Sequence, residues 1–218
     1  MFFLHKKTIT CIIITLKTVT MLIKEELLLS YGAVIEDYGR SHVIFNEGDI
    51  PKFYYQIIKG RIKLNHYNED GKELILAILS PGLSVCELLL FIEKKYPVNA
   101  VVFEQCTVLK LPKSNFVRLL DENPGISRDV NKFLSERLYY KYIMLQNNSS
   151  MYADVRIIGV LDYHKSFYED QRKFSFEVPL TRQQLASMTG LRVETIIRTI
   201  KKLEQQGIVK VINRKIYY

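Results

Sequence analysis

The chain has 218 residues and a formal net charge of +8 at pH 7, from 31 lysines and arginines against 23 aspartates and glutamates. A hydrophobic content of 48% with 11% aromatics excludes a globally disordered chain and allows one large domain or two small ones. The basic surplus favours a nucleic acid or an anionic membrane as partner, but it says nothing about the fold.

The first twenty residues, "MFFLHKKTITCIIITLKTVT", need a separate interpretation. Their apolar run at 11–16 is far shorter than the roughly 20 residues of a membrane helix, and no small-residue cleavage site follows it. Met21 then opens the amphipathic stretch "MLIKEELLLSYG". We expect residues 1–20 to be a misassigned extension before a true start at Met21, or else a disordered or accessory segment, and we expect no membrane partner.

Three scattered cysteines, Cys11, Cys86 and Cys106, form no Cys-x-x-Cys pair. This spacing suggests neither a disulfide framework nor a zinc site. It is typical of reduced thiols in a cytoplasmic protein.

Residues 43–112 have the pattern of a β domain. Turn signals recur as "NEGD" at 46–49, "KG" at 59–60, "NEDGK" at 68–72 and "SPG" at 80–82, and short apolar runs lie between them. Such punctuation predicts a sandwich or a barrel. Asp70-Gly71 marks a hairpin, because glycine tolerates the positive φ that these turns need.

A long helix follows the β region. Asn123 is a good N-cap, Pro124 suits the first helical position, and apolar residues then recur at helical spacing as far as Leu145. The polar stretch "NNSS" at 147–150 ends the helix as a hinge. This helix, 124–147, either packs on its own core or pairs with its copy in a homodimer, and the spacing of three and four favours the homodimer.

The last 70 residues predict a winged helix-turn-helix. After the helical stretch "ADVRIIGVLDYHKSF" and the strand-like "KFSFEVPL", Thr181 and Gln184 form a capping box that starts a helix, which Gly190 ends. A second helix covers roughly Val193–Gln205, and a hairpin follows with its turn near Asn213-Arg214. Helix, glycine turn, helix and hairpin occur in the order of that motif.

The second helix has two faces. Ile196, Ile200 and Leu203 fall on one side, while the other carries Glu194, Arg198, Lys201 and Lys202. In a major groove Arg198 can pair with guanine, and Glu194 can accept a hydrogen bond from the amino group of cytosine. The alternative is that Glu194 and Arg198 form an ordinary i,i+4 ion pair.

Further residues of this region are candidates for phosphate or flanking contacts, which give affinity but no sequence information. The alternative interpretation is ordinary solvated polar surface. The candidates are Thr181, Arg182, Gln183, Arg192, Thr195, Lys201 and Lys215.

Together these features resemble the Crp/Fnr family of bacterial transcription factors, from Leu27 to Tyr217. "HVIFNEGDIPKFYYQIIKGRIKLNHYNEDGKELILAILSPG" resembles the family's β-roll, "NPGISRDVNKFLSERL" its dimerisation helix, and "PLTRQQLASMTGLRVETIIRTIKKLEQQGIV" its DNA-binding signature. The resemblance implies an α+β fold. A cyclic-nucleotide-binding-like β-roll (a double-stranded β-helix) would span 21–120, a dimerisation helix 121–148, and a winged helix-turn-helix domain 149–218.

The resemblance also implies a homodimer that binds double-stranded DNA sequence-specifically, with RNA polymerase as a further partner. Glu194 and Arg198 match the family's base readers. Val193 replaces an arginine of the cyclic-AMP-responsive branch, and "VET" is similar to the Fnr branch, so we expect half-sites that contain TTG. Ile197 departs from the polar residue that is frequent in that branch.

The effector cannot be named from the residues. Glu87 fits the glutamate that binds ribose in the family, but the arginine for the cyclic phosphate is missing from "KKYPVNAVV", and Cys86 replaces a glycine. Tyr142 stands, with Lys141 beside it, where the family has base-contacting hydroxyl residues. We therefore regard Glu87, Cys86 and Tyr142 as a weak effector pocket and expect no cyclic AMP there.

Other family sensors are also not expected. Three scattered cysteines cannot supply the four ligands of an iron–sulfur cluster, and no histidine stands near Cys86 to support haem. The effector is thus an unknown small molecule, a redox or nitrosative signal at Cys86 or Cys106, or absent.

The main alternative to a DNA-binding regulator is a ligand-sensing module with a protein–protein output and vestigial DNA binding. An enzyme is not expected, because the chain has no P-loop, metal motif or nucleophile elbow.

Overall fold

The computed structural model describes residues 21–71, 73–166 and 170–218. The expected extension at 1–20, with Cys11, lies outside the described residues. The chain begins with a short helix and an antiparallel β-roll, continues through two further helices, and ends in a small helical domain with a hairpin.

The first part of the chain contains α1 (Glu25–Ser30), β1 (Val34–Tyr38), β2 (Val43–Phe45), β3 (Phe53–Tyr67), β4 (Glu73–Leu79), a 3₁₀ helix (Glu87–Phe91) and β5 (Asn99–Pro112). Its strands form the β-roll, a five-stranded antiparallel sheet with the order β1-β5-β3-β4, in which β2 also pairs with β5. The sheet curls where β3 and β5 lose regular register between Ile57 and Ile62. Gly60 lies in this irregular segment with φ 83°, and a Cβ there would stand 2.2 Å from the carbonyl oxygen of Gln105.

Aromatic side chains fill the inside and the closed end of the roll. Phe45 stacks on Tyr96 inside it, with ring centroids 3.6 Å apart and planes at 7°. Tyr54 stacks in the same way on Phe116 of α2 (Lys113–Glu122) at 4.3 Å. The sequence pattern did not predict α2, which closes this end of the roll.

The long helix α3 covers Pro124–Asn148 and begins where the sequence predicts. Asn123 is its N-cap by position only, because the side chain makes no capping hydrogen bond. Its Nδ2 instead donates to the carbonyl oxygen of Leu119 at 2.9 Å and to the hydroxyl of Tyr31 at 3.0 Å. The expected side-chain cap is therefore wrong: the donated bonds hold the amide toward Leu119 of α2 and Tyr31 just after α1, and its oxygen accepts no capping bond from the first turn of α3.

The C-terminal part is a winged helix-turn-helix. The capping box of Thr181 and Gln184 is present, and Gly190 ends the first helix of the motif at φ 69°. The wing turn places Asn213 and Arg214 at positive φ. The elements are α4 (Ala153–Lys165), α5 (Arg182–Thr189), α6 (Val193–Gln205), β6 (Lys210–Ile212) and β7 (Lys215–Tyr217).

The stretch "KFSFEVPL" is not a regular strand, contrary to the expectation. It makes an isolated bridge between Glu177 and Tyr217, and the amide of Val178 donates to the carbonyl oxygen of Ile216 at 2.8 Å. The stretch is thus extended and borders the wing, but its pairing is too short for a full strand.

The winged domain packs on the β-roll through β4. Ile75 and Ile78 of β4 belong to the same apolar cluster as the core of the winged domain. Arg61 of β3 donates from Nη1 to the carbonyl oxygen of Pro179 at 2.9 Å. The predicted α+β fold, with β-roll, long helix and winged helix-turn-helix, is therefore confirmed. None of the helices in the described ranges is long and apolar enough to cross a bilayer.

Candidate nucleic-acid interface and effector site

Helix α6 presents its polar face to solvent. Ile196 and Leu203 are fully buried and Ile200 is 3% exposed, so the apolar face is packed into the domain core. Glu194, Arg198, Lys201 and Lys202 are all exposed on the opposite side. The turn at Gly190 and the buried apolar stripe together fix which side of α6 points outward.

Glu194 and Arg198 have no partner within the described part of the chain. The i,i+4 ion pair that the spacing allowed is not formed, and neither side chain makes a hydrogen bond to a described residue. Both side chains are therefore accessible to an external ligand. The first two turns of such a helix are the part that contacts base edges in helix-turn-helix proteins.

Some of the phosphate candidates are already used inside the domain. Thr181 Oγ1 accepts from the amide of Gln184 at 3.2 Å in the capping box. The guanidinium of Arg182 donates to the carbonyl oxygen of Arg214 in the wing turn. Lys215 pairs with Glu177 at 2.6 Å, which raises the pKa of Lys215 and lowers that of Glu177.

The remaining candidates are not held in this way. Gln183, Arg192 and Lys201 are exposed, and Arg192 is the N-cap of α6 without a side-chain cap. Thr195 is half-buried on the flank of the helix. The exposed basic groups closest to Glu194 along the chain are thus Arg192 and Arg198.

Two further residues, which the sequence pattern did not identify, hold the helices of this candidate interface in place. Asp154 of α4 accepts from Lys202 Nζ at 3.0 Å, which lowers the pKa of Asp154. Arg156 donates to the carbonyl oxygens of Ser150 at 2.6 Å and Thr189 at 3.3 Å. Arg156 therefore ties the end of α5 to the hinge after α3, and no local sequence signal identifies it.

In the β-roll, Glu87 is fully buried and is paired with Arg137 of α3. Arg137 Nη1 lies 3.1 and 3.2 Å from the two carboxylate oxygens of Glu87. Burial is the largest influence and lowers the pKa of Arg137, but the charge of Glu87, the nearby Tyr163 and Cys86 and the hydrogen bond to Glu87 together outweigh it, so the pKa is raised. The carboxylate thus has its counter-charge from the protein itself.

Arg137 is not among the residues predicted from the sequence, although a signal for it exists. It lies seven residues from both Val130 and Met144, the two buried residues of α3. A spacing of seven keeps residues on one helical face, so Arg137 had to face the roll.

Cys86 adopts φ 54° and ψ 31°, the left-handed conformation that favours the glycine it was expected to replace. Burial, with the nearby charge of Glu87, raises the pKa of Cys86 to about 12. Burial, with Asp37, raises the pKa of Cys106 to about 11. Both thiols are therefore protonated near neutral pH, which argues against a thiolate-based sensor.

Tyr142 does not join Glu87 and Cys86, so the expected three-residue pocket is not assembled within one chain. It is 63% exposed, because it lies about 140° around the helix from Arg137. Lys141 faces the roll instead, and its Nζ donates to the carbonyl oxygen of Leu76 at 3.0 Å. No group of three or more His, Cys, Asp or Glu side chains in the described ranges could hold a metal ion.

Two family models match the chain. Residues 35–123 match the cyclic nucleotide-binding domain, and residues 155–218 match the Crp-like helix-turn-helix domain. The nitrogen fixation regulation protein FixK of Bradyrhizobium diazoefficiens is 26% identical over 180 residues, 81% of this chain and 74% of that protein. The cAMP-activated global transcriptional regulator CRP of Salmonella typhimurium is 26% identical over 178 residues, 80% and 84% of the two chains.

Solved structures share the fold. A CooA mutant from Carboxydothermus hydrogenoformans superposes with a TM-score of 0.74 at 18% identity and covers 92% of each chain. FixK2 from Bradyrhizobium japonicum gives a TM-score of 0.69 at 19% identity, over 85% of this chain and 91% of that one.

The residues of the roll do not fit a cyclic nucleotide. The buried cation in this region, Arg137, is already paired with Glu87, so it is not free for the phosphate. Lys94 and Lys95 are exposed, so neither supplies a buried cation for the phosphate. A buried phosphate without a cation is costly, and Phe45 stacked on Tyr96 fills space inside the roll.

Proposed function

Since this chain belongs to the Crp/Fnr family of bacterial transcription regulators, we propose that it binds specific DNA sequences as a homodimer, with α6 in the major groove. The observation that carries the proposal is the pair of exposed, unpartnered side chains Glu194 and Arg198 on α6, among the residues that the structure describes. Arg198 would pair with N7 and O6 of guanine, and Glu194 would accept from the amino group of cytosine. Such a regulator acts where the bacterial chromosome lies, in the cytoplasm.

Contacts to the DNA backbone come from the surrounding groups. The free candidates Gln183, Arg192 and Lys201 are placed to meet phosphates directly. Thr181, Arg182 and Lys215 are engaged within the domain, and they would add to phosphate contacts by exchanging or sharing their present partners. These contacts set orientation and affinity and carry no sequence information.

The homodimer is supported by an exposed apolar seam on α3. Leu138, Tyr142 and Leu145, spaced by four and three residues, are 54%, 63% and 71% exposed. Residues at this spacing form the contact line between two paired helices. Pairing of two copies would place the two α6 helices in successive major grooves, about 34 Å apart.

The half-site that we propose contains TTG, because "VET" at 193–195 is similar to the Fnr branch. The roll would work without cyclic AMP, because "KKYPVNAVV" supplies no arginine for the cyclic phosphate. A different effector could act only by binding one domain arrangement more tightly than another. RNA polymerase is the further partner that the family membership suggests.

The experiment that tests the proposal is selection of binding sites from random DNA, followed by titration of the selected site at several salt concentrations. We expect a near-palindromic site with TTG in each half and an affinity that falls steeply with salt, because phosphates are neutralised. A TGTGA-type half-site would overturn the half-site proposal. Failure to form any sequence-preferring complex would favour the protein–protein alternative.

A further inference from the structure

Ile197 is an apolar residue on the polar face of α6. Its side chain is 56% exposed, whereas Ile196 is fully buried and Ile200 is 3% exposed. Single exposed apolar residues are common on protein surfaces. This one, however, lies beside the two side chains that we propose read bases.

The position of Ile197 on the helix is that of a base-contacting residue. It follows Glu194 by three residues and precedes Arg198 directly, so it lies about 60° from the first and about 100° from the second around the helix axis. It therefore belongs to the first two turns, which enter the groove most deeply.

The chemistry of isoleucine restricts what it can recognise. The side chain has no donor or acceptor, so it cannot pair with the polar base edges. The 5-methyl group of thymine is the apolar feature of the major groove, and apolar side chains contact it. The β-branched side chain is also stiff at χ1, so ordering it in the groove costs little entropy.

We propose that Ile197 is a specificity-determining residue that contacts the 5-methyl group of a thymine next to the G·C pair met by Glu194 and Arg198. This inference rests on the proposed DNA-binding function. It assigns the departure of Ile197 from a polar residue to a change in how this base is recognised, through its methyl group instead of through a hydrogen bond.

The test replaces each thymine of the selected half-site in turn with deoxyuridine, which lacks only the methyl group. Binding is measured for the wild type, for Ile197→Ala and for Ile50→Ala. Ile50 is a matched control, because it is an isoleucine 65% exposed in the β-roll. The measured quantity is the loss in affinity caused by removing each methyl group, compared between the wild type and each variant.

We expect the wild type and Ile50→Ala to lose about fourfold in affinity at one thymine, the worth of one buried methyl group. For Ile197→Ala, the loss in affinity on methyl removal at the same thymine should be less than about twofold.

Equal losses for wild type and Ile197→Ala at every thymine would overturn the inference and leave the DNA-binding function standing. The inference is likewise overturned if deoxyuridine has no effect at any thymine. If the wild type shows no sequence-preferring complex at all, the proposed function itself fails, and the inference fails with it.

Discussion

Glu194 carries a negative charge on the surface that we propose faces DNA. Repulsion from phosphates there lowers the affinity for every sequence. The carboxylate is not needed to hold α6, because it has no ion pair with Arg198 or with any other described residue. A cytosine or adenine amino group that meets it would account for its presence, so we propose that Glu194 discriminates between sites.

Replacement of Glu194 by alanine should therefore reduce specificity more than it reduces general affinity. For Glu194→Ala we expect the ratio of specific to non-specific binding to fall about tenfold, while non-specific affinity stays the same or rises. Glu26→Ala, a change at an exposed glutamate in the first turn of α1, is the matched control. Loss of specific and non-specific binding by equal factors would contradict the assigned role.

Cys86 combines a left-handed backbone with a buried thiol. Its φ of 54° is unfavourable for a residue with a Cβ, so the surrounding roll must hold the conformation. Because burial raises the pKa of this thiol to about 12, the reactive thiolate is scarce at any physiological pH. Cys86 is thus a packing residue in a backbone conformation that favours glycine.

Alkylation should distinguish this interpretation from a redox sensor. At pH 8 we expect iodoacetamide to label Cys86 in the native protein about a thousandfold more slowly than in concentrated urea. Peptide mapping by mass spectrometry reads each cysteine separately, so labelling at Cys11 does not interfere. Native labelling of Cys86 at the rate of the unfolded chain would contradict the prediction and restore a thiol-based signal.

The sequence predicts those helices and turns whose conformation is determined by neighbouring residues. The capping box at Thr181, the break at Gly190 and the apolar stripe of α6 depend on residues within one or two turns, and the structure has α6 at Val193–Gln205 as expected. The turn after Asp70 is local in the same way, with Gly71 at φ 73°. For these elements neighbouring residues determine the conformation.

Other elements depend on contacts between distant residues. Helix α2 is held by Phe116 stacked on Tyr54, and β1 is held by its pairing with β5, so neither has a clear signal in its own sequence. Asn123 is predicted as a helix cap, but its Nδ2 donates to Leu119 four residues before it and to the distant Tyr31, a contact that only the fold creates. The ion pair between Glu87 and Arg137 is not evident from the sequence for the same reason, since the two residues are 50 positions apart.

The long helix gives a prediction of its own, because its two faces have different roles. Val130, Arg137 and Met144 share the inner face, where Val130 and Met144 are buried, while Leu138 and Leu145 are exposed on the seam. Charges on the seam should separate two paired copies without disturbing the inner face. For Leu138→Glu combined with Leu145→Glu, we expect a monomer in sedimentation velocity and loss of affinity for the palindromic site.

A matched change elsewhere controls for added charge. Ile50→Glu places a glutamate at an exposed apolar position of the roll, and it should leave the dimer intact. A double variant that still sediments as the wild-type dimer would show that α3 is not the contact. A monomeric wild type at working concentration would contradict the homodimer proposal itself.

The β-roll and the winged domain are joined by a hydrogen bond and by a common cluster of buried apolar side chains. Arg61 of the roll reaches the carbonyl oxygen of Pro179, and the cluster around Ile78 continues into the winged core. His164, in α4, is buried close to this contact, and its Nε2 has no hydrogen-bond partner in the part of the chain that the structure describes. The docked arrangement therefore depends on a neutral His164.

This dependence predicts how stability changes with pH. Burial, with Arg61 and Lys141 nearby, lowers the pKa of His164 from 6.5 to about 4. Below pH 6.5, His164 becomes protonated in the unfolded chain while it stays neutral in the folded chain. The free energy of unfolding therefore falls as the pH falls. Between about pH 7 and pH 5 the loss is about 2 kcal/mol, and most carboxylates stay ionised over that range.

Urea unfolding at pH 7 and pH 5 measures the effect, and two variants assign it. His164→Leu replaces the ring by an apolar side chain without a proton to bind, so its stability should change much less over this interval. His42→Leu alters a histidine on the surface, and it should keep the wild-type dependence. His164→Leu removes the proton uptake that links the burial of this residue to stability. If the variant still loses as much stability on acidification as the wild type, another group is responsible for the pH dependence.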